Sequence, residues 1–278
     1  MTIDFSSVGQ RVGPLERRYD WRDTVLYALA LGAGAEDLAY VLDRPALKVL
    51  PTYGVLPAFE PVFDAMRRTG ADLVQLLHTA QRTELIRPLP PQGTLRTTAS
   101  VRGIWDMKVG ALAVVDTESE VNGELACRTS WQLLLRGEGG FGGERPPQGL
   151  RTKPPKDAAP DFEIEVPTSR NQALLYRLTG DINPIHADPE VAKQAGFDRP
   201  ILHGLCTYGI AARIALKELA GDEPARFKAF EARFAKVVMP GDTLIVRGYR
   251  LASGQAAVTV SIAQGGEQAI GNALFEWT

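Results

Sequence analysis

The sequence has few cysteines and few histidines, and both shortages limit the chemistry that it can support. Only two cysteines, Cys127 and Cys206, occur in 278 residues, too few for a disulfide framework or a cysteine-based metal site. The three histidines, His78, His186 and His203, lack the short spacing of a multi-histidine zinc site. We therefore expect no metal and no other cofactor, and a reaction that needs an imidazole must use one of these three residues.

Net charge and hydrophobicity exclude further classes of protein. With 31 lysines and arginines against 33 aspartates and glutamates, the formal net charge is −2, and no basic cluster predicts a nucleic-acid surface. No apolar run is long enough to span a bilayer, and the N-terminus lacks the basic-then-apolar pattern of a signal peptide. The C-terminal Phe-Glu-Trp-Thr is not a peroxisomal address. We therefore expect a cytoplasmic location and no nucleic-acid or membrane partner.

A stretch rich in glycine and proline divides the chain. Residues 137–161 contain Gly-Glu-Gly-Gly-Phe-Gly-Gly and two Pro-Pro pairs, a composition that suits a linker better than an internal loop. A chain of 278 residues is long enough to form two cores of ordinary size. We therefore predict an N-terminal unit at 1–137, a linker at 138–160 and a C-terminal unit at 161–278.

Both units combine helices with strand patterns, in which Val, Ile, Thr and aromatic residues alternate with polar breaks. Residues 1–19 are predicted to be an irregular lead-in. The segments 88–95 and 238–244 each place proline and glycine just before Thr-Leu and a strand pattern, which indicates internal duplication. The fold class is therefore α+β with two repeats. The predicted strands are 74–78, 94–102, 110–118, 125–135, 162–166, 229–238, 243–251, 256–263 and 268–277.

The helical patterns differ between the two units. Residues 205–220 are apolar around nearly the whole helix and lie between Gly204 and Gly221, which predicts a buried helix. In the first unit, by contrast, prolines and a glycine interrupt the apolar segment 47–59, so that it cannot form a regular long helix. Shorter helices are predicted after Asp20, near 61–69 and at 169–178.

One polar loop lies between the predicted helices at 169–178 and 205–220. Asp181, Asn183 and His186 lie within six residues around Pro184, and Asn183 is pushed toward an extended backbone because it precedes the proline. Asp188 has the character of an N-cap, with proline at the first helical position after it. We therefore predict a loop, anchored by a short helix, in which a carboxylate, an amide and an imidazole converge.

The longer motif carries a family resemblance. Gly-Asp-x-Asn-Pro-x-His, followed by Pro-Ile-Leu-His-Gly, resembles the MaoC-like dehydratases, and more narrowly the type 2, (R)-specific enoyl-CoA hydratases, including the hydratase part of peroxisomal multifunctional enzymes. Residues 23–34, 76–90 and 139–143 extend the resemblance over most of the chain. It implies a double hot-dog fold, in which each repeat is an antiparallel sheet and the C-terminal sheet wraps the buried helix.

The resemblance implies a reaction, and the residues suit it. The reaction is the reversible hydration of trans-2-enoyl-CoA to (3R)-3-hydroxyacyl-CoA. Asp181 and His186 form the one closely spaced carboxylate–imidazole pair in a turn-forming loop, and general acid–base catalysis by such a pair is worth about 10²–10⁴-fold. Asn183 orients the water or holds the loop. The N–H of Gly204, at the start of the buried helix, is placed to stabilise the thioester oxyanion.

The first unit departs from the family pattern in one place. The family often has His-Gly-Glu-Gln where this chain has His78-Thr79-Ala80-Gln81, so we predict that the first unit does no chemistry and binds the acyl chain. Val55, Leu56 and Phe59 are the candidate acyl contacts. 

Candidate substrate contacts also lie in the second unit. Arg233 and Lys236 are candidates for binding the coenzyme A nucleotide. His203 is grouped with the substrate-binding residues, and a structural hydrogen-bonding role is the alternative.

Two other functional classes remain open at this stage. A hot-dog acyl-CoA thioesterase would aim an activated water at the carbonyl carbon, and thiol release would identify it. A non-catalytic acyl-CoA-binding subunit would not need the Asp/Asn/His loop. For assembly, we predict that the two repeats pair within one chain, with a homodimer as a further possibility.

Overall fold

The computed structural model describes residues 3–147, 149 and 152–278, and its strands form one antiparallel sheet. In chain order, the strands are β1 (Arg11–Tyr19), β2 (Leu76–Leu85), β3 (Gly93–Asp106), β4 (Gly110–Val121), β5 (Glu124–Arg136), β6 (Phe162–Pro167), β7 (Phe227–Phe234), β8 (Thr243–Ala252), β9 (Gln255–Ile262) and β10 (Gln268–Trp277). The helices are α1 (Trp21–Ala30), α2 (Leu38–Val41), α3 (Phe59–Arg68), α4 (Gln172–Tyr176), α5 (Pro189–Gln194) and α6 (Gly204–Ala220).

The sheet is built from two equivalent halves. Its order is β1-β3-β4-β5-β2-β7-β10-β9-β8-β6, so each half places its strands in the same relative order and its second strand at the junction. The halves join where β2 pairs with β7, from Ala80 opposite Arg233 to Glu84 opposite Ala229. This arrangement agrees with the α+β, two-repeat prediction and adds that the repeats share one continuous sheet.

Helix α6 forms the core of the second half, as its sequence predicts. It runs from Gly204 to Ala220 and is capped by Gly221, whose left-handed φ of 67° is a conformation that glycine adopts without strain. All but three of its residues are buried, and it packs against β7, β8, β9 and β10. A helix that is apolar on all sides is stable only when surrounded in this way.

The first half has no such long helix. Residues Pro51–Val55 form a fully buried 3₁₀ turn against β2 and β5, and α3 follows against β1, β3 and β4. The prolines account for the difference, because proline in a helix interior removes a hydrogen bond and clashes with the preceding turn. The prediction of a broken segment at 47–59 is therefore confirmed, and its break becomes part of the core rather than a surface loop.

Helix α1 lies in the first half of the sequence but packs against the second half. Asp20 caps its N-terminus in a capping box with Asp23, as the sequence predicted for Asp20. At its C-terminal end, Gln172 Nε2 donates to the Ala30 carbonyl at 2.6 Å, and Arg213 of α6 donates to the Leu31 carbonyl at 3.2 Å. The end of α1 is therefore held by side chains of the C-terminal unit.

Arg213 also makes a charged contact between the halves. Its guanidinium donates to the Gly32 carbonyl at 3.2 Å and to the Asp37 carboxylate at 3.3 Å. The two side chains are only 8% and 12% exposed, so this ion pair lies largely out of water. At the same contact, a Cβ on Gly209 would approach the Leu31 side chain to 2.6 Å, so a larger residue here would force that side chain to move.

Three predictions about local structure need correction. Residues 1–19 are not an irregular lead-in, because β1 occupies Arg11–Tyr19 and pairs with β3. Its mostly exposed, charged residues and Pro14 hide the apolar alternation of a strand, and proline is tolerated at this sheet edge. The strand predicted at 74–78 begins later, since a 3₁₀ turn covers Leu73–Gln75 before β2. The helix predicted at 169–178 is shortened to α4 and a 3₁₀ turn.

The predicted linker is fixed at its beginning. The carboxylate of Asp106 accepts hydrogen bonds from the backbone N–H groups of Gly140 and Gly142, at 2.9 and 2.6 Å. These bonds attach the glycine-rich part to the β3–β4 turn. Residues 148, 150 and 151 of the predicted linker lie outside the described residues. None of the helices in the described residues has the length and apolar character needed to cross a membrane.

Candidate active site

The loop predicted between α4 and α5 folds through its own side chains. The Asp181 carboxylate accepts from the Asn183 N–H at 3.3 Å, and the Asn183 side-chain oxygen accepts from the Ile185 N–H at 3.2 Å. Asn183 has an extended ψ of 121°, as expected before proline, and Pro184–His186 then form a 3₁₀ turn. These contacts bring Asp181 and His186 to one side of the loop.

Helix α5 anchors this loop. The Asp188 side chain accepts hydrogen bonds from the N–H groups of Glu190 and Val191, and Pro189 occupies the first helical position. The predicted N-cap is therefore confirmed. The capping residue lies two positions after His186, so the cap holds the chain close to the imidazole.

The imidazole of His186 is held in one tautomer. Its Nδ1 lies 2.9 Å from the Ile201 carbonyl oxygen. Because a carbonyl oxygen can only accept, Nδ1 must carry the hydrogen, and Nε2 of the neutral ring is left to accept a proton. His186 is 9% exposed, so little solvent competes for that nitrogen.

Asp181 and His186 influence each other's protonation. Burial raises the pKa of the Asp181 carboxyl and lowers the pKa of the His186 imidazole, and each charge opposes the shift of the other group. The two pKa values therefore move toward each other, and the pair titrates as a unit. A carboxylate and an imidazole with converging pKa values exchange a proton at low cost, which is what general acid–base catalysis requires.

His203 lies next to the pair but does not line the cavity. Its side chain is fully buried, and its ring stacks on His186 with a centroid separation of 3.7 Å and an interplanar angle of 26°. It is absent from the lining of the adjoining cavity, so the structure does not bring it into contact with that space. Of the two roles considered for His203, the geometry favours the structural one.

Asp181, His186 and His203 also lie close enough together to be compared with a metal site. Ligand atoms of Asp181, His186 and His203 lie within 4.8 Å of one another. However, His186 Nδ1 and His203 Nε2 already bond to backbone carbonyls, so each ring has only one nitrogen left, and the two rings are stacked on each other. The donor set fits proton transfer better than metal binding.

Gly204 also lines this space. It is exposed, lines the cavity and begins α6, where the first N–H groups have no intrahelical acceptor and the helix dipole is positive. A Cβ at this position would lie 3.4 Å from the Phe234 ring, so the ring packs directly against Gly204. The beginning of α6 therefore borders the cavity that Asp181, His186 and Phe234 also line.

A cavity of about 670 Å³ connects this site to the first half of the chain. Asp181, Asn183, His186 and Gly204 line one part of it, together with Lys236. The first half contributes an apolar and aromatic wall. The wall residues are Phe59, Phe63, Leu76, Leu77, His78, Trp131 and Leu133.

The aromatic wall is continuous with the site. Phe59 packs edge-on against Trp131 with a centroid separation of 5.2 Å, and Trp131 stacks on His78 at 4.8 Å. His78 in turn contacts Phe234 edge-on at 5.1 Å. Burial lowers the pKa of His78 to about 4, so this ring is neutral and serves as part of an apolar surface.

Not every predicted substrate contact lies at this cavity. Phe59 lines it, but Val55 and Leu56 are 0% and 1% exposed and lie in the core, outside the lining residues. Val55 ends the 3₁₀ turn and Leu56 caps it, and both side chains pack into the core of the protein. The interrupted sequence pattern did not reveal this. Arg233 is exposed, and its neighbour Phe234 faces the cavity, so the alternation of β7 turns Arg233 to the other face of the sheet.

Sequence reasoning did not identify several of the wall residues. Phe63, Leu77 and Trp131 come from α3, β2 and β5, which only the folded sheet brings together. Trp131 carried a weak signal, because a large aromatic residue in a strand pattern is often an anchor of a core or pocket.

Comparison with known proteins agrees with this architecture. A family model described as "MaoC like domain" matches residues 151–266, and one described as "MFE-2 hydratase 2 N-terminal domain" matches residues 18–137. The 3-hydroxyacyl-thioester dehydratase Y of Mycobacterium tuberculosis is 42% identical over 95% of this chain and 93% of its own length. A probable enoyl-CoA hydratase 2 of Dictyostelium discoideum is 37% identical over 88% and 86%.

Solved structures point the same way. A MaoC-like dehydratase from Phytophthora capsici superposes with a TM-score of 0.88 at 31% identity, covering 99% of this chain and 97% of its own. A Mycobacterium tuberculosis protein described as a double hotdog fold superposes with a TM-score of 0.61 at 17% identity, covering 98% and 96%, which supports the fold alone. The chain belongs to the MaoC-like dehydratase family, with the two-repeat arrangement of the hydratase 2 proteins, and the predicted double hot-dog fold is confirmed.

Proposed function

We propose that this chain catalyses the reversible hydration of trans-2-enoyl-CoA to (3R)-3-hydroxyacyl-CoA. One observation carries the proposal: Asp181 and the His186 imidazole line the same cavity as the N–H of Gly204 at the start of α6. A thioester lying between them has an acid–base pair near its double bond and a donor near its carbonyl oxygen. The relatives named as enoyl-CoA hydratase 2 and 3-hydroxyacyl-thioester dehydratase support this reaction.

In this proposal, Asp181 and His186 hold one water. The ionised carboxylate and Nε2 of the neutral imidazole both accept hydrogen bonds, so the water is oriented by two acceptors. As the water oxygen bonds to C3, the pair takes one proton from it, and the pair returns one proton to C2. The pair is therefore unchanged after each turnover, and the reverse sequence dehydrates the 3-hydroxyacyl thioester.

Two further groups support the reaction. Negative charge that develops on the thioester oxygen is stabilised by the Gly204 N–H, and one such donor is typically worth about 3–4 kcal/mol in related chemistry. Asn183 acts by holding the loop, because its side-chain oxygen is already bonded to the Ile185 N–H.

The remainder of the cavity is proposed to bind the substrate's two ends. The aromatic wall of the first half, which includes Phe59, receives the acyl chain, and each buried methylene contributes about 0.8 kcal/mol. Lys236 lines the cavity and is 57% exposed, so its ammonium group is a candidate contact for the coenzyme A phosphates. In the same structure, that ammonium lies 2.8 Å from Glu267, which a phosphate would have to displace.

A coupled assay tests the proposal. Purified protein is mixed with a trans-2-enoyl-CoA, and loss of the conjugated thioester absorbance is followed beside thiol release. We expect hydration without thiol release and a product of (3R) configuration on chiral analysis. Thiol release at the rate of substrate loss would instead identify a thioesterase, and a bound but unchanged substrate would identify a binding subunit.

The cellular compartment and the assembly state remain predictions. A cytoplasmic location is proposed from the sequence, although several relatives are named as peroxisomal enzymes. Homodimer formation is tested by light scattering of the purified chain.

A further inference from the structure

His203 contacts two separate parts of the site without lining the cavity. It is the N-cap residue of α6, so its peptide leads directly into Gly204. Its Nε2 lies 3.1 Å from the backbone carbonyl oxygen of Asp181, which is 22 residues earlier in the chain. His203 therefore bridges the loop that carries the acid–base pair and the helix end that carries the oxyanion donor.

The His203 ring also contacts two other rings. His186 stacks on it at 3.7 Å, and the Tyr176 ring lies at 4.8 Å with an interplanar angle of 49°. Tyr176 is fully buried and contacts Tyr27 of α1 at 6.1 Å. A side chain confined in this way has little rotational freedom, so its bond to Asp181 is held in one geometry.

The direction of the bond follows from its partners. A carbonyl oxygen only accepts, so His203 Nε2 carries the hydrogen and donates it to Asp181. Burial and the neighbouring His186 lower the pKa of His203 to about 3, and the nearby Arg177 acts in the same direction. The ring is therefore neutral at physiological pH, and it holds the backbone of Asp181 rather than exchanging a proton with substrate.

We infer that His203 is a positioning residue, which sets the distance between the Asp181–His186 pair and the Gly204 N–H through its bond to the Asp181 carbonyl. The inference rests on the proposed hydratase function, since that function requires both groups to reach one thioester. A displacement of about 1 Å in such an arrangement can cost about 100-fold in rate.

Two substitutions separate this role from simple packing. In His203→Gln, the side-chain amide nitrogen occupies nearly the place of Nε2 and keeps a donor for the Asp181 carbonyl. In His203→Asn, the amide is shorter and does not reach it. We expect His203→Asn to lower kcat about 10- to 100-fold with little change in KM, and His203→Gln to restore most of that loss.

The second readout does not depend on turnover. Hydrogen exchange of the backbone amides at residues 181–187 is measured in both variants and in the wild type. Release of the Asp181 carbonyl should accelerate exchange in this loop in His203→Asn, while His203→Gln should remain close to the wild type.

Tyr208→Phe serves as a matched control. Tyr208 lies about one turn into α6, and its hydroxyl donates to the Phe230 carbonyl of β7 at 2.7 Å. The variant therefore also loses one buried hydrogen bond, but Tyr208 does not line the cavity. It should lose stability and keep its kcat and its loop exchange.

Several outcomes would overturn the inference. Equal kcat losses in the two His203 variants, unchanged activity in His203→Asn, or an effect confined to KM would each show that the bond to Asp181 does not position the site. If the wild type does not hydrate enoyl-CoA, the proposed function fails, and the exchange data still decide whether His203 holds the loop.

Discussion

At the scale of single residues, the site depends on burying two groups that would each prefer water. Asp181 is negative and His186 is positive when ionised, and burial disfavours both charged forms. Burial therefore raises the pKa of Asp181 and lowers that of His186, so the two values move toward each other. In the proposed reaction, one proton is taken from water and one is given to C2, and we assign these two transfers to the pair rather than to either residue alone. In the proposed reaction, the two residues therefore act together as one acid–base unit.

Replacing Asp181 should abolish most turnover without unfolding the protein. Asp181→Asn keeps the shape of the side chain and removes the carboxylate, so we expect kcat to fall by about 10²–10⁴-fold. The thermal midpoint should stay the same or rise, because a partly desolvated charge has been removed. Steady-state kinetics and thermal unfolding measure both effects. Near wild-type turnover would remove Asp181 from the mechanism.

The buried histidines make stability dependent on pH. The pKa of His78 is lowered to about 4 in the folded chain from an ordinary 6.5, and that of His203 to about 3. Between the ordinary pKa of 6.5 and the lowered pKa of each histidine, the unfolded chain binds more protons than the folded chain. This contribution to stability is therefore full above pH 6.5 and falls as the pH decreases. Each proton contributes at most about 1.4 kcal/mol per pH unit.

Denaturant unfolding at a series of pH values tests this slope. His78→Gln should flatten the fall in unfolding free energy between pH 6.5 and about 4, because glutamine does not titrate. An unchanged slope in this variant would assign the pH dependence to other groups.

Single residues were also the scale at which sequence reasoning was most informative. Asp181, Asn183, His186 and Gly204 were selected from their motif, and the structure places all of them at one cavity. Val55 and Leu56 were misplaced, because an interrupted apolar segment does not show which side of a buried turn faces a cavity. The bridging contact of His203 was not predictable, since it depends on the distance between two backbone segments.

At the scale of elements, the beginning of α6 combines two requirements. The helix is buried, and in the proposed reaction its first N–H faces the substrate. A glycine meets both needs, because no side chain stands between the N–H and the cavity.

Gly204→Pro and Gly204→Ala form a matched pair that tests the oxyanion role. Proline is favoured at a first helical position but has no N–H, and His203 already has the extended ψ of 132° that a following proline requires. We expect Gly204→Pro to lower kcat about 10²–10³-fold. Gly204→Ala keeps the N–H and places its Cβ at ordinary distance from Phe234, so its loss should be much smaller. Similar losses in both would mean that space, not the N–H, matters here.

Helix α1 depends on another element for its C-terminal end. Arg213 donates to the carbonyls of Leu31 and Gly32, which follow the helix, and it pairs with Asp37 in a nearly dry contact. Removing one partner of such a pair leaves a buried charge, so Arg213→Met should destabilise the chain by about 3–5 kcal/mol. Lys217 approaches the same carboxylate at 3.6 Å but is 47% exposed, and Lys217→Met should cost about 1 kcal/mol or less.

Chemical denaturation of these two variants and the wild type decides between the expectations. Equal, small changes would show that the arginine contact adds little to stability despite its burial.

At the scale of the whole molecule, the two repeats form one structure rather than two neighbours. The β2–β7 pairing, the Gln172–Ala30 bond and the Arg213 contacts all cross between them. Sequence reasoning predicted the duplication because the segments before β3 and β8 are alike. It could not predict that α1 packs on the second half, because that contact joins residues more than a hundred positions apart.

The same scale explains why β1 was missed. An edge strand has one paired neighbour and exposes most of its side chains, so β1 lacks the apolar alternation that revealed the inner strands. Composition alone therefore favoured an irregular segment, and only pairing with β3 distinguishes the two possibilities.

The shared cavity has a consequence for how such a protein changes over generations. If two identical copies of a single repeat met at this junction, every substitution in the wall proposed to bind the acyl chain would also appear beside the loop proposed to be catalytic. Covalent fusion removes that symmetry, because a mutation in one half is not copied into the other. The first half is then free to diverge in the shape of the wall while the second preserves its chemistry, so new substrate preferences can arise without loss of the reaction.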